Sequence, residues 1–191
     1  MAATAGEGRS AEERLEIAVL ELLERDGVLA GINLREVAER AEVTRGLVYH
    51  HFGSRRELLR SALKRVLGRR RSTVLRLSKI PPRDRLSQYL QEFIANPTPV
   101  QLLALLVLDG DRGFDALPFS DLTREVNRQD IADGLLAGDV DEDALQGGLL
   151  AAVYGWVLLR RAFASSLGRS PEELDPYVLE MLHRMQTPSG D

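Results

Sequence analysis

The stretch INLREVAERAEVTRGLVYHHFGSRRELL, residues 32–59, decides the fold of this chain. Apolar residues recur at the spacing of an amphipathic helix from position 34 to position 41. Asn33 precedes this pattern, Thr44 precedes a second short one that runs through His51, and both are residue types that cap helix N-termini. We therefore expect two short helices joined by a tight turn, the arrangement called a helix-turn-helix.

Helical spacing of apolar residues continues along almost the whole chain of 191 residues, and the alternating runs typical of strands are missing. Capping-box spacing supports two helix starts, since Asn33 is followed three residues later by Glu36, and Ser54 by Glu57. The sequence predicts an all-α fold with three small helices before a larger bundle. About nine helices are expected, over residues 10–26, 33–41, 44–51, 55–79 with an interruption near Gly68, 84–95, 98–108, 120–136, 141–167 and 170–185.

The apolar positions of the two short helices predict which of their faces is buried. Leu34, Val37, Ala38, Ala41, Val43, Val48 and Phe52 can pack against Leu15, Val19 and Leu22 of the first helix. The opposite faces present cations, small residues, a phenol and an imidazole, which suit hydrogen bonding to base edges in a DNA major groove. The candidate DNA-contacting residues are Asn33, Arg35, Thr44, Arg45, Gly46, Leu47, Tyr49, His50 and Arg55.

The chemistry of these candidates predicts different contacts with DNA. Arg35 and Arg45 can form bidentate hydrogen bonds with guanine, and Gly46 lets the backbone approach closely. Tyr49 can touch a thymine methyl group or a phosphate. Phosphate oxygens suit Asn33, His50, Arg55 and the helix N-termini after Asn33 and Ser54.

Some of these residues also have an ordinary structural interpretation. Tyr49 could cover the core instead of contacting DNA. Arg55 and Arg56 could pair with Glu57 or Glu42. Taken one at a time, the residues leave both interpretations open.

The charge of the chain is unevenly distributed around its total of −4. Residues 1–80 carry 16 Lys and Arg against 11 Asp and Glu, a net +5, whereas residues 81–191 carry 9 against 18, a net −9. Between positions 33 and 71 the excess reaches +7, from 11 positive and 4 negative residues. A basic region on an acidic molecule favours binding of a polyanion at one end, although a merely solvated face would have the same composition.

Residues 10–65 resemble the DNA-binding domain of the TetR/AcrR family of bacterial transcriptional regulators. About a dozen positions agree in order and without gaps. Glu42 stands where glycine is usual in the turn, so we expect a strained or adjusted turn there. Smaller departures are Asn33 where Thr is common, Leu47 where a small residue or Thr is frequent, and Arg55 in place of Lys. The agreeing positions are the N-cap, Arg35, Val37, Ala38, Ala41, Val43, Thr44, Gly46, Tyr49, His51, Phe52, the basic residue at 55 and Leu58.

The resemblance implies a homodimer whose two motifs enter successive major grooves of a palindromic operator, with half-site centres about 34 Å apart or somewhat more. It also implies that a small molecule bound to the larger domain shifts the fourth helix and relieves repression. The corresponding division of the chain is a flexible N-terminus at 1–9, a DNA-binding domain at 10–67 with its motif at 33–52, and an effector-binding and dimerisation domain at 68–191.

The rear of the chain supplies candidates for the dimer interface and for the effector pocket. Small and large apolar residues mix over 141–167, which permits close helix approach to another chain or to the same one. The dimer candidates are Ala151, Ala152, Gly155, Leu159, Leu174, Val178, Met181 and Leu182. The pocket candidates, which suit a hydrophobic or amphipathic molecule, are Tyr89, Phe93, Leu103, Leu106, Val107, Phe114 and Trp156.

Several other classes of protein are disfavoured. The chain has no cysteine, no apolar run long enough for a membrane helix, and a charged start where a secretory signal would be apolar, so we expect a cytoplasmic protein that contacts no membrane. Asp109, Asp111 and Asp115 recur like calcium ligands, but the twelfth position is Ser120, not Glu. Catalytic and zinc-site motifs are missing, so neither an enzyme nor a cofactor is expected. The alternatives are a helical ligand-binding or dimeric module without DNA affinity and, less favoured, an enzyme of unknown type.

Overall fold

The architecture comes from a computed structural model, which describes residues 9–27, 31–117, 119–136 and 141–186. Within these residues every regular element is an α-helix, which confirms the all-α prediction. The N-terminal segment 1–9, expected to be flexible, lies outside the described residues except for Arg9. The helices are α1 (Ala11–Asp26), α2 (Leu34–Arg40), α3 (Arg45–Phe52), α4 (Arg55–Arg69), α5 (Arg71–Leu77), α6 (Pro82–Ala95), α7 (Thr98–Leu108), α8 (Ser120–Ala132), α9 (Glu142–Ser166) and α10 (Pro171–Gln186).

One predicted helix is two helices in the structure. The segment expected over 55–79 consists of α4 and α5, which are separated by Arg70, so the described residues contain ten helices instead of about nine. The break lies close to Gly68, where an interruption is predicted. The helix expected over 120–136 is shorter, because α8 ends at Ala132 and Gly134 then takes a positive φ of 71°.

The helices form two compact units, and the first unit contains the predicted helix-turn-helix. This unit comprises Met1–Arg69 and Gln101–Phe114. Its core confirms the predicted inward face of the short helices. Val37, Ala38, Ala41 and Val48 are buried with Leu15, Val19 and Leu22 of α1, while Leu34, Val43 and Phe52 pack against them as partly buried residues.

The second half of α7 belongs to this first unit, whereas the predicted boundary puts all of 68–191 in the other domain. Leu102 and Leu106 of α7 are buried in the same core as the helix-turn-helix. Polar contacts also hold the segment that follows. Arg56 Nη2 lies 2.7 Å from Asp109 Oδ2. Arg60 Nε donates to Asp111 Oδ2 at 2.8 Å.

The second unit comprises Arg70–Val100 and Asp115–Asp191. Arg85 of α6 is buried and organises one end of it: Nη1 lies 2.8 Å from Asp130 Oδ2 of α8. The same guanidinium donates to the backbone oxygens of Leu77 at 3.1 Å and Ile80 at 2.9 Å, and so fixes the turn between α5 and α6. The core of this unit consists of Leu86, Leu90, Phe93, Val100, Val153, Trp156, Val157, Ala164, Leu174 and Leu182.

Neither a membrane span nor a metal site is found in the described part of the chain. None of its helices combines the length and the apolar character needed to cross a bilayer. No group of three or more histidine, aspartate and glutamate side chains there could hold a metal ion. Asp109 and Asp111, which recur like calcium ligands in the sequence, are instead paired with Arg56 and Arg60.

The turn between α2 and α3 contains the strained residue that the resemblance predicts. Glu42 has a φ of 53° and is the only described residue other than glycine with a positive φ. An L-residue avoids this region because its Cβ crowds the backbone, which glycine does not do. Backbone hydrogen bonds hold the turn in place, since Val43 N–H donates to the Ala38 oxygen at 2.9 Å.

Replacing Glu42 with glycine should therefore stabilise the protein. We expect Glu42→Gly to raise the free energy of unfolding by about 0.5–1 kcal/mol, the relief of strain minus the entropy that glycine adds to the unfolded chain. Urea denaturation followed by circular dichroism measures the change. The matched control is Glu24→Gly at an exposed helical position of α1, which should lose about 1 kcal/mol. Equal losses at the two positions would show that Glu42 carries no strain.

Asp111 should make stability depend on pH in the acid range. Its side chain is 1% exposed. The hydrogen bond from Arg60 lowers the pKa of Asp111 to about 2 from an ordinary value of 3.8. A carboxylate whose pKa is lowered by folding stabilises the protein above its unfolded pKa, and this contribution disappears as the pH falls through the folded pKa.

Asp111→Asn should therefore lower the free energy of unfolding at about pH 6, and the difference from wild type should shrink as the pH falls towards about 3. Urea denaturation at a series of pH values measures it. Asp109→Asn is the control, because Asp109 is 62% exposed and its pair with Arg56 is screened by solvent. A difference for Asp111→Asn that stays constant across this range would argue against a charged carboxylate at that position.

Candidate nucleic-acid interface

The first helix of the motif, α2, starts at a side-chain cap. Asn33 Oδ1 accepts a hydrogen bond from the backbone N–H of Arg35 at 2.9 Å, as its residue type predicts. The predicted capping box with Glu36 is wrong, because the carboxylate of Glu36 pairs with Arg25 of α1 instead of returning to the backbone of Asn33. The amide oxygen of Asn33 is thus used within the protein, whereas its NH₂ group donates to none of the described residues.

The helices that follow differ in how they begin. Thr44 occupies the N-cap position of α3 in an extended conformation, but its side chain makes no capping hydrogen bond, so the predicted cap is wrong in that respect. Ser54 does cap α4, where its Oγ accepts from the N–H of Glu57 at 3.2 Å. The carboxylate of Glu57 pairs with Arg60, which leaves that capping box incomplete. The hydroxyl of Thr44 is therefore available to a ligand.

Eight of the nine candidate DNA-contacting residues are exposed in the structure. The exception is Leu47, which is half-buried. Val48, the next residue along α3, is fully buried in the core and sets the orientation of the helix. The exposed candidates are Asn33, Arg35, Thr44, Arg45, Gly46, Tyr49, His50 and Arg55.

Arg45 and Tyr49 form a pair on the outward face of α3. Arg45 Nη2 lies 3.4 Å from the Tyr49 hydroxyl. The guanidinium carbon lies 5.8 Å from the centroid of the Tyr49 ring. Tyr49 is 46% exposed, so the interpretation that it covers the core is wrong. The phenol instead steadies the position of Arg45 without neutralising its charge.

Arg35 is exposed like Arg45, but it has an ionic partner. Its Nε lies 2.9 Å from Glu39 Oε1, one turn further along α2, and the two side chains are 78% and 64% exposed. An exposed pair of this kind contributes about 0–1 kcal/mol. Arg35 can therefore exchange Glu39 for a DNA group at a small cost in free energy, whereas Arg45 has no ion pair with any described carboxylate.

The interpretation that Arg55 pairs with Glu57 or Glu42 is wrong within the part of the chain that the structure describes. Arg55 is exposed, and no described carboxylate lies within ion-pair distance of it. Its neighbour Arg56 is occupied by Asp109. Two adjacent arginines at the start of α4 thus differ in function, since one is free for a phosphate and the other holds the protein together.

The two adjacent histidines of α3 are also distinguished by their surroundings. His51 is half-buried, and its Nδ1 lies 3.2 Å from Glu12 Oε1 of α1. His50 is exposed, and the two imidazole rings meet edge to face with centroids 5.3 Å apart. His50 is therefore the member of the pair that can reach DNA, as the sequence predicts.

Ion pairs neutralise much of the basic region that the sequence shows. Between positions 33 and 60 there are six arginines, and four of these have a carboxylate partner. Arg35 pairs with Glu39, Arg40 with Glu21, Arg56 with Asp109, and Arg60 with Asp111. Arg45 and Arg55 have no carboxylate partner among the described residues, so unneutralised positive charge is left on α3 and at the start of α4.

The dimer candidates divide between the surface and the core of the second unit. Leu174 and Leu182 are buried within the chain, and Ala152 and Val178 pack against the same core, so these four are intrachain residues in the structure. Ala151, Leu159 and Met181 are exposed, and Gly155 is half-buried. Further exposed apolar residues lie at helical spacing from these, namely Leu158, Phe163 and Leu167 at and just after α9, and Tyr177 and Met185 on α10; of these, the sequence analysis missed Leu158 and Leu167.

The effector candidates divide between the cores of the two units. Leu106 is buried in the core of the first unit, and Leu103 and Phe114 pack against that core. Val107 is 56% exposed. Phe93 and Trp156 are buried in the core of the second unit, with Tyr89 packed against it. The sequence could not separate these groups because α7 is apolar on all sides.

Comparison with known proteins connects this geometry to a family. The profile for bacterial regulatory proteins of the tetR family matches residues 20–62, which contain the helix-turn-helix. Among curated proteins, none has a significantly similar sequence.

Three solved structures with identities of 20–23% share the fold of nearly the whole chain. One is a protein whose structure is described as explaining the molecular basis of the control of antibiotic production by bacterial hormones. It has 23% identity, a TM-score of 0.67, and coverage of 93% of this chain and 99% of the other. A protein described as a TetR-family transcriptional regulator from Rhodococcus sp. has 21% identity, a TM-score of 0.66, and coverage of 93% and 98%. NalD, a secondary repressor of a multidrug efflux pump in Pseudomonas aeruginosa, has 20% identity, a TM-score of 0.56, and coverage of 94% and 97%.

The family profile falls on the segment whose buried and exposed faces the structure defines, and the whole-chain fold agrees with it. Helix α3 presents an exposed arginine, glycine and tyrosine where a reading helix would meet DNA. Residues 20–62 of the chain, which contain its helix-turn-helix, are thus similar to bacterial regulatory proteins of the tetR family, and a larger helical part follows them in the chain.

Proposed function

We propose that the chain binds a palindromic operator as a homodimer and represses transcription until a hydrophobic or amphipathic small molecule releases it. The outward face of α3 carries this proposal, because Arg45 and Tyr49 lie there beside Gly46 with no described carboxylate to neutralise the cation. Base edges and phosphates require donors of this kind on a helix that fits the major groove. A regulator of this type acts in the bacterial cytoplasm, where the DNA lies.

The contacts we assign to α3 follow from the space and chemistry around each residue. Arg45 binds a guanine, and Tyr49 beside it contacts a thymine methyl group or a phosphate. A Cβ at Gly46 would have Thr44 Oγ1, 3.9 Å away, as its nearest neighbour, so the space beside Gly46 is open to DNA. Leu47 is half-buried and contributes at most an apolar contact.

The remaining contacts set the position of the protein on DNA. We assign Arg35 to a second base, which it reaches by leaving Glu39. Arg55, His50, Asn33 and the hydroxyl of Thr44 are assigned to phosphate oxygens, because all of them carry exposed donors. Phosphate contacts of this kind add affinity without distinguishing sequences.

The homodimer is supported by an exposed apolar stripe on α9 and α10. A contiguous patch of large apolar side chains is unfavourable when it is exposed to water. In a dimer with two-fold symmetry, the same stripe on each protomer is buried against its partner. The stripe consists of Ala151, Gly155, Leu158, Leu159 and Phe163 on α9 with Tyr177, Met181 and Met185 on α10. Leu174 and Leu182 are excluded from it, because they are already buried within the chain.

Repression with release by a small molecule has indirect support. NalD, which shares this fold, is described as a repressor. The second unit keeps Tyr89, Phe93 and Trp156 of the predicted effector site in or against one core. A molecule bound there would act through the chain connection between α4 and α5.

Selection of bound sequences from a random pool of duplex DNA tests the proposed function, and an inverted repeat is the expected result. On the selected operator, Arg45→Ala should lose about 1–3 kcal/mol of binding free energy and relax the preference at one base pair of each half-site. Arg55→Ala should weaken all sequences alike and reduce the slope of log affinity against log salt by about 1 per contact. Fluorescence anisotropy over a range of salt concentrations measures both effects.

The control is Arg83→Ala, an exposed arginine on α6 outside the DNA-binding unit, which should leave affinity and salt dependence unchanged. A sequence-selective loss in Arg55→Ala would mean that Arg55 contacts a base. If the wild-type protein binds no duplex at low ionic strength, the proposed function is wrong.

The dimer surface is tested by one substitution made at two positions of matched exposure. Leu159 on α9 is 45% exposed, and Leu75 on α5 is 43% exposed. Leu159→Glu should weaken the dimer by more than about tenfold, since burial of a leucine side chain contributes about 1.5–3 kcal/mol and a buried carboxylate opposes it. Light scattering across a dilution series reports the mass. Leu75→Glu should remain dimeric, and equal behaviour of the two variants would place the interface elsewhere.

A further inference from the structure

The second unit contains a guanidinium that is largely buried and poorly neutralised. The side chain of Arg70 is 15% exposed, and its carbon Cζ lies 4.0 Å from the centroid of the Phe93 ring. Its one hydrogen bond to a described residue joins Nη2 to Glu92 Oε2 at 3.4 Å, the long end of the normal range. A guanidinium has five N–H donors. Most of the donors of Arg70 therefore have no protein acceptor within the described ranges.

The charges around Arg70 leave an excess of one positive charge. Glu92 is shared, because its other carboxylate oxygen lies 3.7 Å from Nη2 of Arg76. Arg85, the next cation on α6, is matched by Asp130. Two guanidinium groups thus share one carboxylate. Burial is the main influence on Arg70, and it lowers the pKa of this side chain despite the attraction of Glu92.

Phe93, which contacts this cation, belongs to a cluster of aromatic side chains. Phe93 and Tyr154 meet edge to face, with ring centroids 5.2 Å apart and an angle of 82° between the rings. Burial raises the pKa of both Tyr89 and Tyr154, and the positive charge of Arg70 acts on both phenols. Neither hydroxyl has a hydrogen-bond partner among the described residues, although both side chains are only partly accessible. The cluster combines apolar ring faces with donors that lack acceptors.

We propose that Arg70, Tyr89, Phe93 and Tyr154 bind the effector, and that this effector has a carboxylate attached to an apolar body. The carboxylate accepts two hydrogen bonds from the guanidinium of Arg70, with a phenol as a further donor. The aromatic rings hold the apolar body. The inference rests on the proposed ligand response, but it concerns a binding site whose occupancy is measured without DNA.

The charge of the cluster selects a monoanion. A single carboxylate balances the excess of one positive charge, whereas a neutral ligand leaves Arg70 and Arg76 with only Glu92 between them. A phosphate dianion would exceed that charge and would be repelled by Glu92, which is 33% exposed beside Arg70. The planar fork of a guanidinium also matches the geometry of a carboxylate.

The position of Arg70 in the chain connects such a ligand with DNA binding. Arg70 directly follows Arg69, the last residue of α4, and occupies the position before α5 without a side-chain cap. The first residue of α4 is Arg55, which we assign to a phosphate. A ligand that fixes the guanidinium of Arg70 therefore acts on the backbone at the point where α4 ends.

The test compares a carboxylate with the alcohol of the same chain length. Octanoate and decanoate are titrated against n-octanol and n-decanol into the full chain at neutral pH, with isothermal titration calorimetry as the measurement. Wild type should bind at least one acid about tenfold or more tightly than its alcohol, the usual scale for a charge-assisted hydrogen bond. Arg70→Gln should bind the acid and the alcohol about equally, and Arg70→Lys should keep part of the preference.

Arg76→Gln is the matched control, because Arg76 faces the same carboxylate but is 58% exposed, and it should retain the preference of wild type. Tyr154→Phe should weaken the acid more than the alcohol. If Arg70 were only structural, Arg70→Gln would weaken both probes alike, and that result overturns the proposal. The proposal is equally overturned if no acid binds better than its alcohol, or if decyl phosphate binds more tightly than decanoate.

The same samples separate this inference from the proposed function. Binding of decanoate that needs Arg70, in a protein that ignores duplex DNA, would leave the carboxylate site standing and remove the operator-binding proposal. If the protein binds the operator but shows no preference for carboxylates over alcohols, the operator-binding proposal stands and the carboxylate site is wrong. Release of the selected operator by decanoate from wild type, but not from Arg70→Gln, is the result expected when both hold.

Discussion

Burial of one apolar face on each of two very short helices is the constraint on which the DNA-binding unit depends. Helices of 7 and 8 residues are too short to be stable alone in water. Helices α2 and α3 form because Val37 and Val48, both fully buried, pack against α1 and α4. This packing fixes the rotation of α3 about its axis, so Tyr49, the residue after Val48, is held outward. Arg45 lies one turn before Tyr49 and shares its exposed face.

The parts of this arrangement that follow from local spacing could be predicted from the sequence, and those that depend on distant partners could not. The spacing of Leu34, Val37, Ala38 and Ala41 fixes both the helix and its inward face, and the structure confirms it. The capping box at Asn33 fails because Arg25, eleven residues before Glu36, takes the carboxylate. The local spacing of residues does not indicate such a distant partner. Glu42 is the opposite case, since one residue type in one turn was enough to predict strain.

Helix α7 shows the limit of the same reasoning in the rear of the chain. It is apolar on all sides, so its sequence indicates burial without indicating the partner. The sequence therefore places Leu106 and Trp156 in one candidate effector pocket, although the two residues lie in the cores of different units. The dimer candidates Leu174 and Leu182 fail for a related reason. On an amphipathic helix the most regular stripe marks the intrachain core, and the exposed residues Tyr177 and Met181, on which we propose the interface, belong to a second, less regular stripe.

Neutralisation decides which of the many arginines are left for ligands. Pairs such as Arg56 with Asp109 and Arg60 with Asp111 use charge to hold distant segments together within the first unit. Arg45 on α3 and Arg55 at the start of α4 have no carboxylate partner among the described residues, and Arg70, immediately after α4, shares its partner with Arg76. Exposed cations suit a polyanion that binds in water, whereas a buried cation suits a single small anion whose affinity gains from desolvation. Under the two proposals, α4 carries a phosphate contact at its first residue, Arg55, and ends immediately before the carboxylate site at Arg70, so one continuous helix connects the two anion sites.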